Sequence, residues 1–236
     1  TETVSINDAA GRVLAQETVA TFPQPRFDNT AMDGFAVRAG DTEGASSASP
    51  VTLSMKGTIT AGGPADIVIG AGECCQIMTG APMPKGADAV VMVENTSGFG
   101  DSFSVDISRE VVEKENVRYS GEEIAEGETL IHPGNRLSAG EIGVAATFGY
   151  GELEVYHRPN IALFATGDEL IEPGEELKPG QIYNSNLHVF AELSERVGTL
   201  ITMQRVLKDS RESLKDFLSE AIEKSNLIVS SGGVSM

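Results

Sequence analysis

The chain has 236 residues, of which 40% are hydrophobic and 22% are charged, a composition typical of folded domains and too apolar for a disordered chain. Its 17 basic and 35 acidic side chains give a net charge of −18, which disfavours nucleic acid and anionic membranes as partners. No apolar run is long enough to span a membrane, and the adjacent Cys74 and Cys75 provide no disulfide framework, so we expect a cytoplasmic protein.

Residues 15–127 predict a β-rich domain. Short β-rich runs are separated by clusters of glycine, proline, serine and aspartate, which favour turns. Several runs alternate apolar with polar residues, which indicates a half-buried antiparallel sheet. The predicted strands are residues 34–38, 51–60, 74–78, 88–94 and 102–107, and a further run follows at 128–131.

A helix is predicted at residues 139–148. Ser138 and Glu141 have the spacing of a capping box, in which each side chain accepts a hydrogen bond from the other residue's backbone N–H. The predicted apolar side of this helix consists of Ile142, Ala145, Ala146 and Phe148. The pattern changes after the helix, which places a boundary between two structural units near residue 158.

Residues 159–236 predict strands and helices in the order β-α-β-α-β. The strands are residues 160–165, 199–207 and 226–230, and the segments between them are long enough for helices. Such connections predict a parallel sheet with helices on its faces and right-handed crossovers.

The two helices between these strands have recognisable ends. Asn184, Ser185 and Asn186 are candidate N-caps of the first helix, which Gly198 ends. Its predicted apolar stripe consists of Leu187, Phe190, Leu193 and Val197. Either Asp209 or Ser210 caps the second helix, whose predicted apolar stripe consists of Leu214, Phe217, Leu218, Ala221 and Ile222.

The loops that follow the three predicted strands are the candidate ligand site. Ligands of open parallel sheets bind at the carboxyl ends of the strands, where the loops diverge. Residues 166–169, 208–210 and 230–235 follow the three strands, and all three loops carry small, hydroxyl or acidic residues. We therefore expect them to form one cleft that holds an anion.

The loop Ser230-Ser-Gly-Gly-Val-Ser235 has two interpretations of about equal weight. Glycines let the backbone approach a ligand closely, and successive N–H groups with serine hydroxyls can hold phosphate oxygens. The alternative is a tight turn from strand to helix in which the glycines satisfy only the backbone. The loop is neither a Walker A motif nor a dinucleotide fingerprint.

Three carboxylates follow the first two strands. Asp168, Glu169 and Asp209 are candidates for holding Mg²⁺, which takes one or two carboxylates together with substrate oxygens and water. The alternative for Asp209 is an N-cap, which is the commoner use of a lone aspartate there, and the alternative for Asp168 is a residue that ends the strand. Glu169 favours function, because its position needs neither a turn former nor a cap.

The segment at residues 27–34 packs two carboxylates, an amide and a hydroxyl into a few positions. A plain loop rich in turn formers explains Asp28 and Asp33 better than a site when the segment is considered alone. Thr79 lies at the end of a predicted strand and is uninformative alone. The three histidines have no zinc-ligand spacing, and no G-x-S-x-G elbow exists, so acidic residues are left to carry any chemistry.

Several motifs, taken in order, resemble the MoeA family of molybdopterin molybdenumtransferases, whose animal relative is the E domain of gephyrin. The resemblance covers essentially the whole chain. The motifs are Gly11-Arg-Val-Leu-Ala15, Phe27-Asp-Asn-Thr-Ala-Met-Asp-Gly-Phe-Ala-Val-Arg38, Ile77-Met-Thr-Gly-Ala-Pro82, Gly86-Ala-Asp-Ala-Val-Val91, Thr166-Gly-Asp-Glu-Leu170 and Ser230-Ser-Gly-Gly-Val-Ser235.

The resemblance implies an α/β fold combined with a mixed, mostly-β part. Residues 159–236 would form an incomplete three-layer α/β molybdopterin-binding domain of the MogA type, and residues 15–127 a separate β-rich domain. Residues 1–14 and 128–158 would form an elongated linker and dimerisation region. The family also has a C-terminal β domain, which is absent from this sequence, so we expect these 236 residues to be inactive alone.

The activity implied by the resemblance is the last step of molybdenum cofactor biosynthesis. Molybdate is inserted into adenylylated molybdopterin, and AMP is released with the help of Mg²⁺. The family works as a homodimer, with the site between the α/β domain of one subunit and the β-rich domain of the other.

The resemblance also implies roles for particular residues. Asp28, Thr79 and Glu169 match the family's catalytic positions, and Glu123 stands where the bacterial pattern often has an aspartate. Asp209 matches a residue that helps to hold Mg²⁺. The implied substrate-binding residues are Asp33, Ser230, Ser231, Gly232, Gly233 and Ser235.

Two other functions fit parts of the sequence. One is a gephyrin-like scaffold that binds a partner peptide, and the other is a MogA-type molybdopterin adenylyltransferase, which shares the α/β domain and the glycine-rich loop. The mixed β region with its Asp-Asn-Thr-Ala-Met-Asp-Gly motif disfavours the adenylyltransferase.

Overall fold

The computed structural model of the chain describes residues 1–100 and 102–232. The chain divides into two compact units, one formed by Thr1–Thr18 with Ile131–Met236 and the other by Val19–Leu130. The finer division with a separate linker region stays a prediction. Within the described residues, no helix is both long and apolar enough to cross a membrane.

The strands and helices of the described residues are numbered in chain order. The strands are β1 Glu2–Ser5, β2 Thr18–Val19, β3 Asn29–Thr30, β4 Gly34–Val37, β5 Val51–Ile59, β6 Glu73–Ile77, β7 Ala89–Met92, β8 Ser104–Ile107, β9 Val117–Arg118, β10 Thr129–Ile131, β11 Glu152–Val155, β12 Asn160–Thr166, β13 Leu170–Ile171, β14 Ile182–Tyr183, β15 Leu200–Leu207 and β16 Leu227–Ser231. The α-helices are α1 Ala139–Thr147, α2 Asn186–Arg196 and α3 Arg211–Lys224, and short 3-10 helices cover Ile6–Asp8, Ala39–Thr42 and Val93–Asn95.

The unit Val19–Leu130 is built on a five-stranded sheet in the order β7-β4-β6-β5-β8. Three of its four pairings are antiparallel, as predicted, but β5 and β6 are parallel. Residues 60–72 connect these two strands, and a connection of that length lets the chain return before β6 begins. The prediction of an antiparallel sheet is therefore wrong at this one pair.

The central strands of this sheet are buried on both faces rather than half-buried as predicted. All four residues of β4 are buried, because one hydrophobic cluster contains Phe35 and Val37 and another contains Ala36. Cys74 and Cys75 divide between the same two clusters, as adjacent residues of a strand must. Both are free thiols, and burial raises the pKa of Cys74 to about 12 and that of Cys75 to about 11.

Helix α1 belongs to the other unit and begins where the sequence predicted. The Glu141 carboxylate accepts from the Ser138 backbone N–H over 2.8 Å, and the reciprocal bond completes the capping box. Ala145 and Phe148 are buried, but Ala146 is exposed, so the predicted apolar side is too wide. The helix therefore packs along a narrower stripe than its composition suggests.

The same unit contains a parallel three-stranded sheet in the order β15-β12-β16, which confirms the predicted α/β arrangement. Side chains of β12 alternate between two clusters. Ile161, Leu163 and Ala165 pack with residues of α2, while Ala162 and Phe164 pack with residues of α3. Helix, sheet and helix thus form three layers, and the central strand is buried because both faces are covered.

Parts of the predicted helix stripes are exposed. Leu193 and Val197 of the α2 stripe are 52% and 65% exposed, and Ile222 of the α3 stripe is 71% exposed. Leu193 and Val197 line a surface depression of about 300 Å³ beside Leu227 and Val229 of β16. They lie toward the edge strand β16, beyond which the described residues place no further strand. The predicted burial of these residues is therefore wrong.

Candidate functional site

The three parallel strands end at one edge of their sheet, as the sequence predicted. Thr166 at the end of β12 pairs with Leu207, and Ala165 pairs with Ser231 at the end of β16. The Gly167 N–H donates to the Leu207 carbonyl oxygen over 3.3 Å. The loops that begin at residues 167, 208 and 232 therefore leave the sheet side by side.

The beginning of the glycine-rich loop packs against the end of β12. Gly232 has a φ of +114°, and a Cβ added there would lie 3.3 Å from the Thr166 hydroxyl oxygen. Glycine fits because it tolerates this backbone conformation without a side chain. Ser230 is exposed and Ser231 is half-buried, so their hydroxyls lie at the edge, while Gly233 and Ser235 lie outside the described residues.

Glu169 is exposed at the same edge, and its carboxylate folds back over Gly167. Gly167 has a φ of +153°, and a Cβ added there would lie only 2.6 Å from a Glu169 carboxylate oxygen. Glycine is favoured here by the backbone conformation, because the exposed Glu169 side chain could move away from an added Cβ. In the described residues, the Glu169 carboxylate has no hydrogen bond or ion pair, so it is available to a ligand.

Among the residues that the structure describes, the Asp209 carboxylate also has no hydrogen bond or ion pair. Ser210, not Asp209, caps α3, because its hydroxyl oxygen accepts from the Ser213 N–H over 3.2 Å. Asp168 lies beside it and accepts from the Asp209 N–H over 3.4 Å. No group of three or more potential metal ligands occurs in the described part of the chain. Two neighbouring aspartates fit Mg²⁺, which takes one or two carboxylates and fills its shell with phosphate oxygens and water.

A cavity of about 330 Å³ opens beside these residues on the β15 side of the edge. Glu172, which belongs to none of the sequence motifs, lines this cavity. Its carboxylate accepts from the Asn184 side-chain amide over 2.9 Å and lies 3.2 Å from His188 Nε2. The lining residues are Gly167, Asp168, Leu170, Ile171, Glu172, Glu175, Val206, Leu207 and Lys208.

The other unit joins two of the sequence motifs through Asp33 and Thr79. One Asp33 carboxylate oxygen accepts from the Thr79 hydroxyl over 2.6 Å and from the Thr79 N–H over 2.7 Å. Hydrogen bonds to the charged form favour it, so the Thr79 hydroxyl, and then its N–H, lower the pKa of Asp33. The Thr79 hydroxyl proton is thus directed at Asp33.

Asp28 connects the same loop to a third segment. Its carboxylate accepts from the Ser120 N–H over 2.8 Å, and its carbonyl oxygen accepts from the Met83 N–H over 2.9 Å. The shape of the loop is fixed by the buried Thr30, whose hydroxyl donates to the Met32 carbonyl over 2.6 Å. In this motif Thr30 therefore shapes the loop, while the carboxylates of Asp28 and Asp33 are exposed.

Glu123 forms an ion pair with Arg118, a residue that belongs to none of the sequence motifs. Arg118 also lies 3.5 Å from Glu122 and lines a cavity of about 290 Å³ with Arg26 and Phe27. The sequence could have pointed to these arginines, because Arg26 and Arg118 are two of only 17 basic residues and both lie close to acidic motifs. This unit therefore places two arginines, Arg26 and Arg118, in the wall of that cavity.

The predicted site residues fall into two groups, one on each unit. Glu169, Asp209, Ser230, Ser231 and Gly232 lie at the edge of the parallel sheet. Asp28, Asp33, Thr79 and Glu123 lie in the loops of the β-rich unit.

Two sequence families match most of the chain. Residues 1–149 match the family described as the MoeA N-terminal region (domain I and II), and residues 162–236 match the probable molybdopterin binding domain. The chain is 37% identical over 234 residues to the molybdopterin molybdenumtransferase of Staphylococcus aureus (strain MSSA476). That alignment covers 99% of this chain and 55% of the relative, so the chain spans about half the length of the curated relatives it matches.

Solved structures resemble the chain over nearly all of its length. A crystal structure of the molybdopterin biosynthesis moeA protein from Pyrococcus horikoshii OT3 superimposes with a TM-score of 0.91 at 31% identity. This alignment covers 99% of the present chain and 62% of that one. A crystal structure of another molybdopterin biosynthesis moeA chain from Pyrococcus horikoshii gives a TM-score of 0.84 at 34% identity, over 98% of this chain and 59% of that one.

Proposed function

We propose that this chain, which belongs to the MoeA family, takes part in inserting molybdate into adenylylated molybdopterin with release of AMP. The observation that carries the proposal is the convergence at one sheet edge of the start of the glycine-rich loop and two carboxylates, Glu169 and Asp209, that have no partner in the described part of the chain. The match of residues 1–149 to the MoeA N-terminal region disfavours the MogA-type adenylyltransferase.

The glycine-rich loop is the proposed binding site for the substrate phosphate. A chain with a net charge of −18 attracts an anion only through local donors. Backbone N–H groups near Gly232 and the hydroxyls of Ser230 and Ser231 are such donors, and glycine lets the phosphate approach the backbone. Gly233 and Ser235 extend the same proposal.

Asp209, with Asp168 beside it, is the proposed holder of Mg²⁺. When bound there, the cation would neutralise charge on the phosphate and favour loss of AMP. The Asp209 carboxylate is exposed, and Ser210 caps the helix in its place, so it can reach a cation without unfolding α3.

The remaining acidic residues would orient the reacting groups. Cleavage of a phosphoanhydride and transfer of an oxyanion depend on placement and charge neutralisation more than on a nucleophile. Glu169 would position a water molecule or a molybdate oxygen, because no residue that the structure describes pairs with its carboxylate. Asp28 would do the same from the β-rich unit, while Thr79 holds Asp33 ionised. Glu123 would hold the Arg118 guanidinium in place through their ion pair.

We also propose that the protein works as a homodimer, as the family resemblance implies.

Binding of the substrate is the first test of the proposed function, because it needs only the 236-residue chain. The 236-residue chain should bind adenylylated molybdopterin, and AMP alone should compete, as measured by equilibrium dialysis. A chain that binds neither, yet captures a defined peptide, would overturn the enzyme and favour the scaffold.

Turnover is the second test and uses a protein of full family length that contains residues 1–236. It should release AMP from adenylylated molybdopterin when molybdate and Mg²⁺ are both present. AMP release at the same rate with and without molybdate would show that the proposed reaction is wrong.

A further inference from the structure

Asn186 makes a hydrogen bond that ties the start of α2 to the glycine-rich loop. Its side-chain amide nitrogen donates to the Ser231 hydroxyl oxygen over 2.9 Å, across 45 residues of sequence. Ser231 is the last residue of β16, at the edge where the three strands end. The contact therefore links Asn186, which lies outside the loop, to Ser231, a residue proposed to bind the phosphate.

The direction of this hydrogen bond decides what the serine can do. A serine hydroxyl carries one proton to donate and two lone pairs to accept. Because the amide of Asn186 donates, it occupies an acceptor position and leaves the Ser231 proton free. An acceptor in the same place would instead take that proton, and Ser231 would then face an anion with lone pairs. Donation by Asn186 also polarises the hydroxyl and makes it a better donor.

The Asn186 side chain is not needed to cap α2. Ser185 occupies the N-cap position of α2 without a side-chain hydrogen bond to the helix, and Asn184 accepts from the Leu187 N–H over 3.4 Å. A cavity of about 90 Å³ lies beside the contact and is lined by both Asn186 and Ser231. The Asn186 side chain thus serves the loop rather than its own helix, with open space next to the hydroxyl.

We propose that Asn186 is a positioning residue that keeps the Ser231 hydroxyl as a hydrogen-bond donor to the bound phosphate. The inference rests on the proposed function, because it takes that phosphate to belong to adenylylated molybdopterin. Asn186 does not touch the ligand itself, and its effect passes entirely through Ser231.

A double-mutant cycle on the 236-residue chain tests this path. Asn186→Ala and Ser231→Ala should each weaken binding of adenylylated molybdopterin about 3- to 10-fold, the size of one hydrogen bond. The double variant should bind no more weakly than Ser231→Ala alone, because the two residues act as one unit. Losses that multiply, or an Asn186→Ala variant that binds normally, would overturn the inference.

A near-isosteric change separates positioning from packing. Asn186→Asp keeps the shape but can only accept, so it should take the Ser231 proton and weaken binding at least as much as Asn186→Ala. Ser185→Asp is the control, since it adds the same charge one residue away and keeps the Asn186 donor. Equal losses in both aspartate variants would assign the effect to charge alone and refute positioning.

Inorganic pyrophosphate distinguishes failure of this inference from failure of the proposed function. Calorimetry should show that the wild-type chain binds pyrophosphate and that the same cycle is non-additive. A chain that binds pyrophosphate but not adenylylated molybdopterin would refute the proposed substrate, and the cycle on pyrophosphate would still decide the role of Asn186. A chain that binds neither would overturn both proposals.

Discussion

Replacing Gly34 with alanine should destabilise the β-rich unit and disturb the loop that carries Asp33. Gly34 begins β4 and pairs with Met92 of β7. A Cβ added at Gly34 would lie 2.0 Å from the Val91 carbonyl oxygen and 2.9 Å from the carbonyl carbon. These are backbone atoms of a neighbouring strand, so no side-chain rotation relieves the contact, and the two strands must separate.

The size of the effect follows from that contact. Overpacking a well-packed core costs about 1–3 kcal/mol, and a clash of backbone with backbone belongs at the upper end. We expect Gly34→Ala to lower the free energy of unfolding by about 3 kcal/mol, which raises the unfolded fraction more than about 100-fold. Asp33 precedes this glycine, so its hydrogen bonds to Thr79 should weaken as well.

Urea unfolding followed by circular dichroism measures the loss, and Gly40→Ala is the matched control. Gly40 is exposed, and nothing lies within 4 Å of a Cβ added there. The control should stay within about 1 kcal/mol of the wild type, because it changes mainly the entropy of the unfolded chain. A Gly34→Ala chain as stable as the control would refute the packing argument.

Three further predictions concern the acidic residues. In a protein of full family length, Asp209→Asn should lower Mg²⁺-dependent AMP release at least about tenfold, and the exposed Asp216→Asn should not; equal rates would remove Asp209 from the site. Thr79→Val should raise the pKa of Asp33 toward its ordinary value of 3.8, as measured by NMR titration. The pKa of Asp33 is lowered in the folded state, so the stability from this contact is full above pH 3.8 and is lost as the pH falls through the folded-state pKa. The free energies of unfolding of the wild type and of Thr79→Val should therefore become equal in acid. If subunits of a homodimer share a site, mixing inactive Asp28→Ala and Asp209→Ala subunits should restore some AMP release, and a mixture without activity would contradict a shared site.

Features set by neighbours in sequence could be predicted. The capping box at Ser138 and Glu141, the glycine at position 198 that ends α2, and the parallel sheet all follow from short-range patterns and connection lengths. The convergence of the three strand ends follows from the same topology, since parallel strands present their carboxyl ends at one edge.

Features set by distant partners could not be predicted. The parallel pairing of β5 with β6 depends on the path of the loop between them, not on the strands themselves. A helical stripe shows that Leu193 and Val197 are apolar but not whether a neighbour covers them. The ion pair of Arg118 with Glu123 depends on side-chain geometry within a loop, which no periodicity reports.

The sequence by itself determined the fold class, the family and the positions of the carboxylates, because these depend on local patterns and ordered motifs. Tertiary structure alone decided which polar groups are occupied and which are free. Thr79 is directed at Asp33 and Ser231 accepts from Asn186, whereas the carboxylates of Glu169 and Asp209 have no partner within residues 1–100 and 102–232. Hydrogen-bond partners 45 or 46 residues apart are chosen by how the chain packs, and that choice sets which groups can meet a ligand.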